Sequence, residues 1–323
     1  PPGEWQKWTT IAHNTVEIDN TPQGRDQQAE SSIDFISSTM FDYVKGWHEA
    51  YVNFRHERRV LFIKPSYWIV SDYVKAPDGQ HDYKQCWHPN LHNNVTIDEK
   101  TGKAETCFET GANVQIIPSE PSELRTEVAE GYMKSIPENY VVYAKDKAEG
   151  DVTFNTVIYP TQEGEKADVS VNKLNAHFNE NNLASTDAVA LEIRLPENGC
   201  KGYYCQSYQQ TGKDIAFGEF VFDGEMAYLE VDKDDNVSCV FLKNATHLER
   251  VSGNNQQKGT SNTILETTNQ TSWISLQREG NGLNLESGDE VTGVKCCLFP
   301  DPDCVMFNGK EISFSREENY LVV

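Results

Sequence analysis

Histidine is the side chain best suited to act as acid, base or metal ligand near neutral pH. The chain holds eight: His13, His48, His56, His81, His88, His92, His177 and His247. His88 and His92 have the spacing that places two ligands on one helix face. Pro89 and the extended neighbours deny them a helix, so the pair makes a poor metal site. His81 and His88 lie seven apart on an alternating segment and read as structural histidines of a sheet. The dense basic patch is Arg55-His56-Glu57-Arg58-Arg59. It reads in two ways: a solvated strand end with weak local salt bridges, or a guanidinium platform that grips carboxylate or sulfate in two-pronged fashion. No serine nucleophile elbow, phosphate-cradling glycine loop or Cys-x-x-Cys pair occurs. The eight cysteines suggest pairing: Cys200 with Cys205, Cys86 with Cys107, and Cys296 and Cys297 with Cys239 and Cys304 as available partners. Eight cysteines permit 105 connectivities, so these pairs are expectations only. A nucleophilic thiol is the weaker reading, because nothing marks a base beside one.

The elements that must carry these groups are strands. Val189, Leu191, Ile193 and Leu195 alternate with Ala190, Glu192 and Arg194, giving one buried and one wet face. Residues 225–231 and 237–242 read as a hairpin through the polar turn 232–236. Asn308-Gly309 marks another, since both turn positions need positive φ. The runs 60–63 and 67–70 are apolar on both faces and read as central strands between layers. Helical signal is confined to a short turn within 121–135, with Ser122 as its cap. Residues 253–268, rich in Asn, Gln, Gly, Ser and Thr, read as a mobile loop. The expected fold is all-β: a large two-layer antiparallel β-sandwich over 1–217, then a smaller antiparallel β domain over 218–323.

Composition narrows the partners. The chain has 323 residues, 28 Lys+Arg against 50 Asp+Glu, and a formal net charge of −22. Nucleic acid is excluded as a natural partner, because phosphate binding needs an excess of cations. No apolar run reaches the ~18 residues of a membrane helix, so no membrane span is expected. Pro1 stands where Met would begin a nascent chain and no signal pattern follows, which reads as a processed or cut chain. Asn94, Asn236, Asn244 and Asn269 each open an Asn-x-Ser/Thr triplet. With the even cysteine count they point to a secreted or periplasmic protein.

One stretch is more specific. Thr10-Ile11-Ala12-His13-Asn14-Thr15-Val16-Glu17-Ile18-Asp19 resembles the His-Asn-Thr strand of heparinase II/III-like polysaccharide lyases. The resemblance continues in order through Gly46-Trp47-His48, His56-Glu57-Arg58-Arg59-Val60-Leu61-Phe62 and Tyr67-Trp68-Ile69-Val70-Ser71-Asp72. It is weaker at His81 and His88 and returns at Phe307-Asn308-Gly309-Lys310. It covers roughly residues 5–90 well.

The resemblance implies a helical (α/α) toroid followed by a two-layer β domain and a small C-terminal β domain, of which this chain is similar to the last two. It departs from the family pattern by lacking the toroid and an upstream His-x-Asp-x-Gly-like segment. The implied activity is β-elimination on a glycosaminoglycan, an alginate-like chain or another uronate-containing polysaccharide. A base takes the proton α to the carboxylate, polar groups hold the enolate-like charge, and an acid assists the leaving oxygen. The family's base and acid come mainly from the toroid, so this fragment alone is expected to be inactive. His13 matches a histidine that lies at the site or binds zinc in some members, with companion ligands expected upstream. Asn14, Trp47, Arg55 and Arg58 are the candidate substrate-binding residues; Arg58, Arg59 and Asp72 equally suit a structural role. Two alternatives stand beside the lyase: a non-catalytic carbohydrate-binding or structural β-sandwich module, with Trp47, Tyr51, Trp87 and Trp273 as stacking aromatics, and a uronyl epimerase on the same scaffold.

Overall fold

The computed structural model of the chain describes residues 9–24, 31–89, 95–133, 136–165, 167–195, 199–209, 212–251, 261–291, 293–297, 302–317 and 320–323. They form two compact units, one up to Ala167 and one from Asp168. Strands dominate both, and the helical residues described are two three-residue 3-10 turns, Thr10–Ala12 and Pro121–Glu123. The all-β expectation holds.

The first unit contains β1 (Val16–Ile18), β2 (Ser31–Ser37), β3 (Phe41–Tyr51), β4 (Phe54–Ile63), β5 (Tyr67–Lys75), β6 (Gln80–Trp87), β7 (Val95–Ile97), β8 (Ala104–Thr106), β9 (Asn113–Pro118), β10 (Arg125–Met133), β11 (Ile136–Glu149) and β12 (Val152–Thr161). They make two antiparallel sheets, ordered β1-β6-β11-β10 and β2-β3-β4-β5-β12-β9-β8-β7. The layers share a core in which Val16, Tyr83 and Tyr143 of the smaller sheet meet Val70, Val74 and Phe154 of the larger. The apolar runs 60–63 and 67–70 fall on β4 and β5, inside the larger sheet, as their composition predicts. Leu61, Ile63, Tyr67 and Ile69 are at most 2% exposed.

The second unit is a single sixteen-stranded sheet, antiparallel except where Gly282–Ser287 runs parallel to Cys304–Phe307. Phe217, Phe220, Phe222, Leu229 and Leu242 anchor its core. The 232–236 hairpin forms as expected: Val231 pairs with Val237, and the Asp232 carboxylate accepts the Asp234 and Asn236 amides at 2.8 and 2.9 Å. Asn308 and Gly309 both take positive φ, 47° and 76°, between paired strands.

Several expectations are corrected. The units divide at Ala167/Asp168, not at 217/218, because strands on both sides of the latter point pair with each other. Cys200–Ser207 pairs with Met226–Val231, and Ile215–Phe217 with Phe220–Phe222. The helical turn within 121–135 shrinks to Pro121–Glu123, without a side-chain cap. Thr126 and Val128 then favour the strand that follows. Residues 261–268 belong to the strand Ser261–Glu279, which pairs with Val237–Val251; the rest of that polar stretch lies outside the described residues.

No disulfide joins any of the eight cysteines. Cys200 and Cys205 sit on one strand, five residues apart, which at ~3.3 Å per residue exceeds the ~7 Å reach of a disulfide. Of the four glycosylation triplets, Asn94 lies outside the described residues. The Asn236 and Asn244 amides donate to Asp232 and Glu225, while Asn269 is exposed.

Candidate functional site

Register decides which side chains meet on the larger sheet. The β4–β5 hairpin sets Arg58 opposite Asp72, and β3–β4 sets His48 opposite His56. Alternation then gathers these four on the face turned toward the smaller sheet. Asp72 is fully buried. Arg58 Nε and Nη2 donate to its two oxygens at 2.7 and 2.8 Å, a two-pronged pair. His56 Nε2 lies 2.7 Å from Oδ1, and Gln85 of β6 donates to Oδ2 at 2.8 Å. Gln85 is fixed in turn by donors from Trp87 and Thr156. The carboxylate has four donors aimed at it, the condition under which a buried charge is tolerated.

The two histidines continue the chain outward. His48 Nδ1 accepts the Ala50 amide at 3.2 Å, which leaves the proton on Nε2, 3.3 Å from His56 Nδ1. His56 must then carry its proton on Nε2, facing Asp72. Burial pushes Asp72 toward its neutral form, but Arg58 and His56 outweigh burial and hold the carboxyl well below the usual range. Burial, with His56 and Arg58 nearby, lowers His48 to about 4.

The same Arg58 reaches the His-Asn-Thr segment. Its Nη1 donates to the Asn14 carbonyl at 2.5 Å, while Asn14 Oδ1 accepts the His88 amide at 2.6 Å. His13 and Asn14 are exposed at this turn, directly after the Thr10–Ala12 turn. Beside it opens a groove of about 430 Å³, lined by Thr15, Ile33, Val44, His48, Arg58 and Val60. That volume falls within the range of ligand pockets, roughly 300–1,000 Å³. His13, Asn14 and Arg58 therefore share one corner of the fold.

Trp47 borders this groove as well, but its ring and Arg55 do not join the other three. Alternation puts both on the opposite face of β3 and β4, where the Arg55 guanidinium stacks on the Trp47 ring at 4.0 Å. Of the three arginines in the basic patch, Arg58 and Arg59 are 23% and 4% exposed and engage Asp72 and Glu57. Arg55 is 39% exposed. Its Nη2 also pairs with Glu57 at 3.4 Å, so the patch is mostly salt bridging within the sheet, with Arg55 its most exposed guanidinium. Sequence reasoning left His48 and Gln85 out of the site. The signal for His48 was its cross-strand partner, hidden by a register shift between His48 and Tyr51.

Among the described residues no three His, Cys, Asp or Glu side chains gather as a metal site. His92, the partner considered for His88, lies outside the described residues. Among the described residues no helix is long and apolar enough to cross a membrane.

The His48 geometry gives a pH dependence. Its proton affinity is lower folded than unfolded, so unfolding takes up a proton as pH falls from 6.5 toward 4. Stability is full above that window and declines through it. Allowing for its partial exposure, the loss between pH 7 and 4.5 is about 1–2 kcal/mol. Urea midpoints across this range, with His48→Gln as reference, measure it; an equally steep decline in the variant would assign the effect to another group.

Comparison with known proteins agrees with this architecture. A family model described as "Heparinase II/III-like, C-terminal" matches residues 3–167, just over half of the chain. A heparin-sulfate lyase of Pedobacter heparinus is 24% identical over 169 residues, covering 50% of this chain and 25% of that protein. Two solved structures share the fold at 20% identity and a TM-score of 0.50. One is a mutant of the heparan sulfate lyase HepC from Pedobacter heparinus, covering 60% of this chain and 30% of its own. The other is a heparinase III, covering 62% and 31%. The chain thus spans about a quarter to a third of the length of these relatives. With the family's C-terminal pattern running through the segments that hold His13, Arg58 and Asp72, this chain belongs to the heparinase II/III-like family.

Proposed function

We propose that the chain is the β-sheet portion of a lyase that cleaves an acidic, uronate-containing polysaccharide by β-elimination, in an extracytoplasmic compartment. The observation that carries this reading is the tie from Arg58, which lines the groove, to the Asn14 carbonyl, next in the chain to the exposed His13. In β-elimination a base removes the proton α to the uronate carboxylate, and the C4–O bond breaks as the enolate-like charge collapses. On this reading His13 and Asn14, both exposed, meet the sugar at that point, Asn14 through its amide nitrogen and His13 through its imidazole.

The remaining acid–base groups come, on this reading, from a helical toroid domain outside these residues, so the chain alone is inactive. Trp47 and Arg55, being on the other face, contribute to glycan contact away from the reacting bond. Zinc at His13 belongs to the proposal only with ligands supplied from outside the described residues, and metal analysis of the full-length protein tests that part. The activity is tested by incubating the full-length protein with uronate polymers, sulfated and unsulfated, and following the ultraviolet absorbance of the unsaturated uronate product. A rise with the full-length protein, and less than about a hundredth of that rate from the isolated chain, is expected. Silence on every uronate polymer would sink the lyase reading, and near-parental turnover by the isolated chain would move the catalytic groups into it.

A further inference from the structure

One buried carboxylate has no part in the arrangement described so far. Glu138 of β11 is 3% exposed, and its Oε2 has no hydrogen-bond partner among the described residues. Its Oε1 lies 3.4 Å from Nδ1 of His88, the residue that follows β6. The His88 ring is 10% exposed and stacks on Tyr140 at 5.0 Å with a 9° interplanar angle. His88 Nε2 donates to the Ile11 carbonyl at 2.7 Å. Both ring nitrogens thus face acceptors, Nε2 in a hydrogen bond and Nδ1 at ion-pair distance from Glu138. The backbone of the same residue holds Asn14 Oδ1. His88 therefore grips the 11–14 segment twice, once on each side of His13. Arg58 on Asn14, and the Cys86 amide on the Thr15 carbonyl at 2.9 Å, complete the frame.

We infer that His88, oriented by Glu138 and Tyr140, is a positioning residue for His13: it fixes the turn that presents the His13 ring, without touching the sugar. This rests on the proposed lyase reading for its consequence in catalysis, but not for its structural content. A turn with two exposed residues and few backbone bonds of its own would otherwise sample several conformations, and a misplacement of ~1 Å at a reacting group costs about a hundredfold in rate. The buried pair is thereby given a reason to persist against its desolvation cost.

Two variants separate the parts of the grip. His88→Phe keeps the ring and its stack on Tyr140 but removes the donor to Ile11. His88→Gln restores a nitrogen donor near the position of Nε2. Amide hydrogen exchange on the 323-residue chain is expected to speed up at least tenfold at Ala12, His13 and Thr15 in His88→Phe. Those amides are bonded within the turn. Exchange in β4 and β5 should stay unchanged, and His88→Gln should return the turn to within threefold of wild type. Glu138→Leu should raise exchange at the same amides by about threefold. Unchanged protection of the turn in His88→Phe, or equal loosening across the whole unit, overturns the inference. In the full-length protein His88→Phe should lower kcat at least tenfold with KM within twofold, and His88→Gln should recover most of it. A fall confined to KM would also overturn the positioning role. If no uronate polymer is turned over, the lyase reading fails while the exchange result still decides the role of His88.

Discussion

Replacing Asp72 by Asn is expected to remove about 3–5 kcal/mol from the stability of the first unit, the usual cost of breaking a buried ion pair by deleting one partner. The substitution keeps the shape and leaves two polar atoms, but it strands the Arg58 guanidinium and the His56 ring against a neutral amide. An Asn nitrogen placed where Oδ1 or Oδ2 stands would also face a donor from Arg58, His56 or Gln85. Urea unfolding followed by probes in β3–β5 measures the loss. A second variant isolates its cause: Arg58→Met in the Asp72→Asn background should recover at least ~1 kcal/mol, because the stranded charge is then gone. A loss below ~1 kcal/mol in Asp72→Asn would mean that water reaches the site and that the network described above does not hold β4 and β5 together. The effect also reaches the candidate site. With Arg58 released, the Asn14 carbonyl loses its donor, so exchange at the His13 turn should rise alongside the loss of stability.

This pair shows which part of the site the sequence reveals. The turn around Pro65 is tight, so Ile63 must oppose Tyr67, and counting outward puts Arg58 against Asp72. A reader of the sequence who trusts the hairpin can derive that contact. The neighbouring hairpin does not allow the same count. The register shifts between His48 and Tyr51, and one extra residue moves every upstream partner by one. His48 against His56 is therefore visible only in the folded chain. Glu138 against His88 is more distant still, since it depends on β11 crossing to β6 from fifty residues away along the chain.

The domain boundary failed for a related reason. Loop length and strand length vary within one sheet, and the 212–224 segment looks like a border although the strands around it hydrogen-bond to each other. The Cys200–Cys205 pair was misread because closeness in sequence is separation along an extended strand. Strand type and the Asn308-Gly309 turn were legible because both are local: alternation and positive φ are written into a few adjacent residues.

In the second unit the largest effect is expected at a glycine whose need is steric. Gly224 precedes the strand Met226–Val231, and a Cβ there would stand 2.5 Å from Ala245 Cβ and 2.7 Å from the Lys243 carbonyl oxygen. Both are backbone-anchored positions, so no side-chain rotation relieves the clash. The strands approach this closely because four hydrogen bonds pin them together. The Glu225 amide donates to the Lys243 carbonyl at 2.9 Å, the Asn244 amide donates to Glu225 at 2.7 Å, and Asp223 accepts the Thr246 and His247 amides. Gly224→Ala must separate the strands or lose those bonds, and about 2–3 kcal/mol is expected to disappear. Gly164→Ala supplies the contrast: its φ is 78° but nothing lies within 4 Å of the added carbon. That variant carries only the conformational cost of a left-handed alanine, roughly 1 kcal/mol. Hydrogen exchange should localise the Gly224→Ala loss to 226–231 and 237–243, with β4 and β5 protected as in wild type, because each unit has its own core. If both variants cost the same, backbone conformation and not close approach is what glycine provides at position 224. If exchange rises equally in both units, they unfold as one cooperative body despite their separate cores.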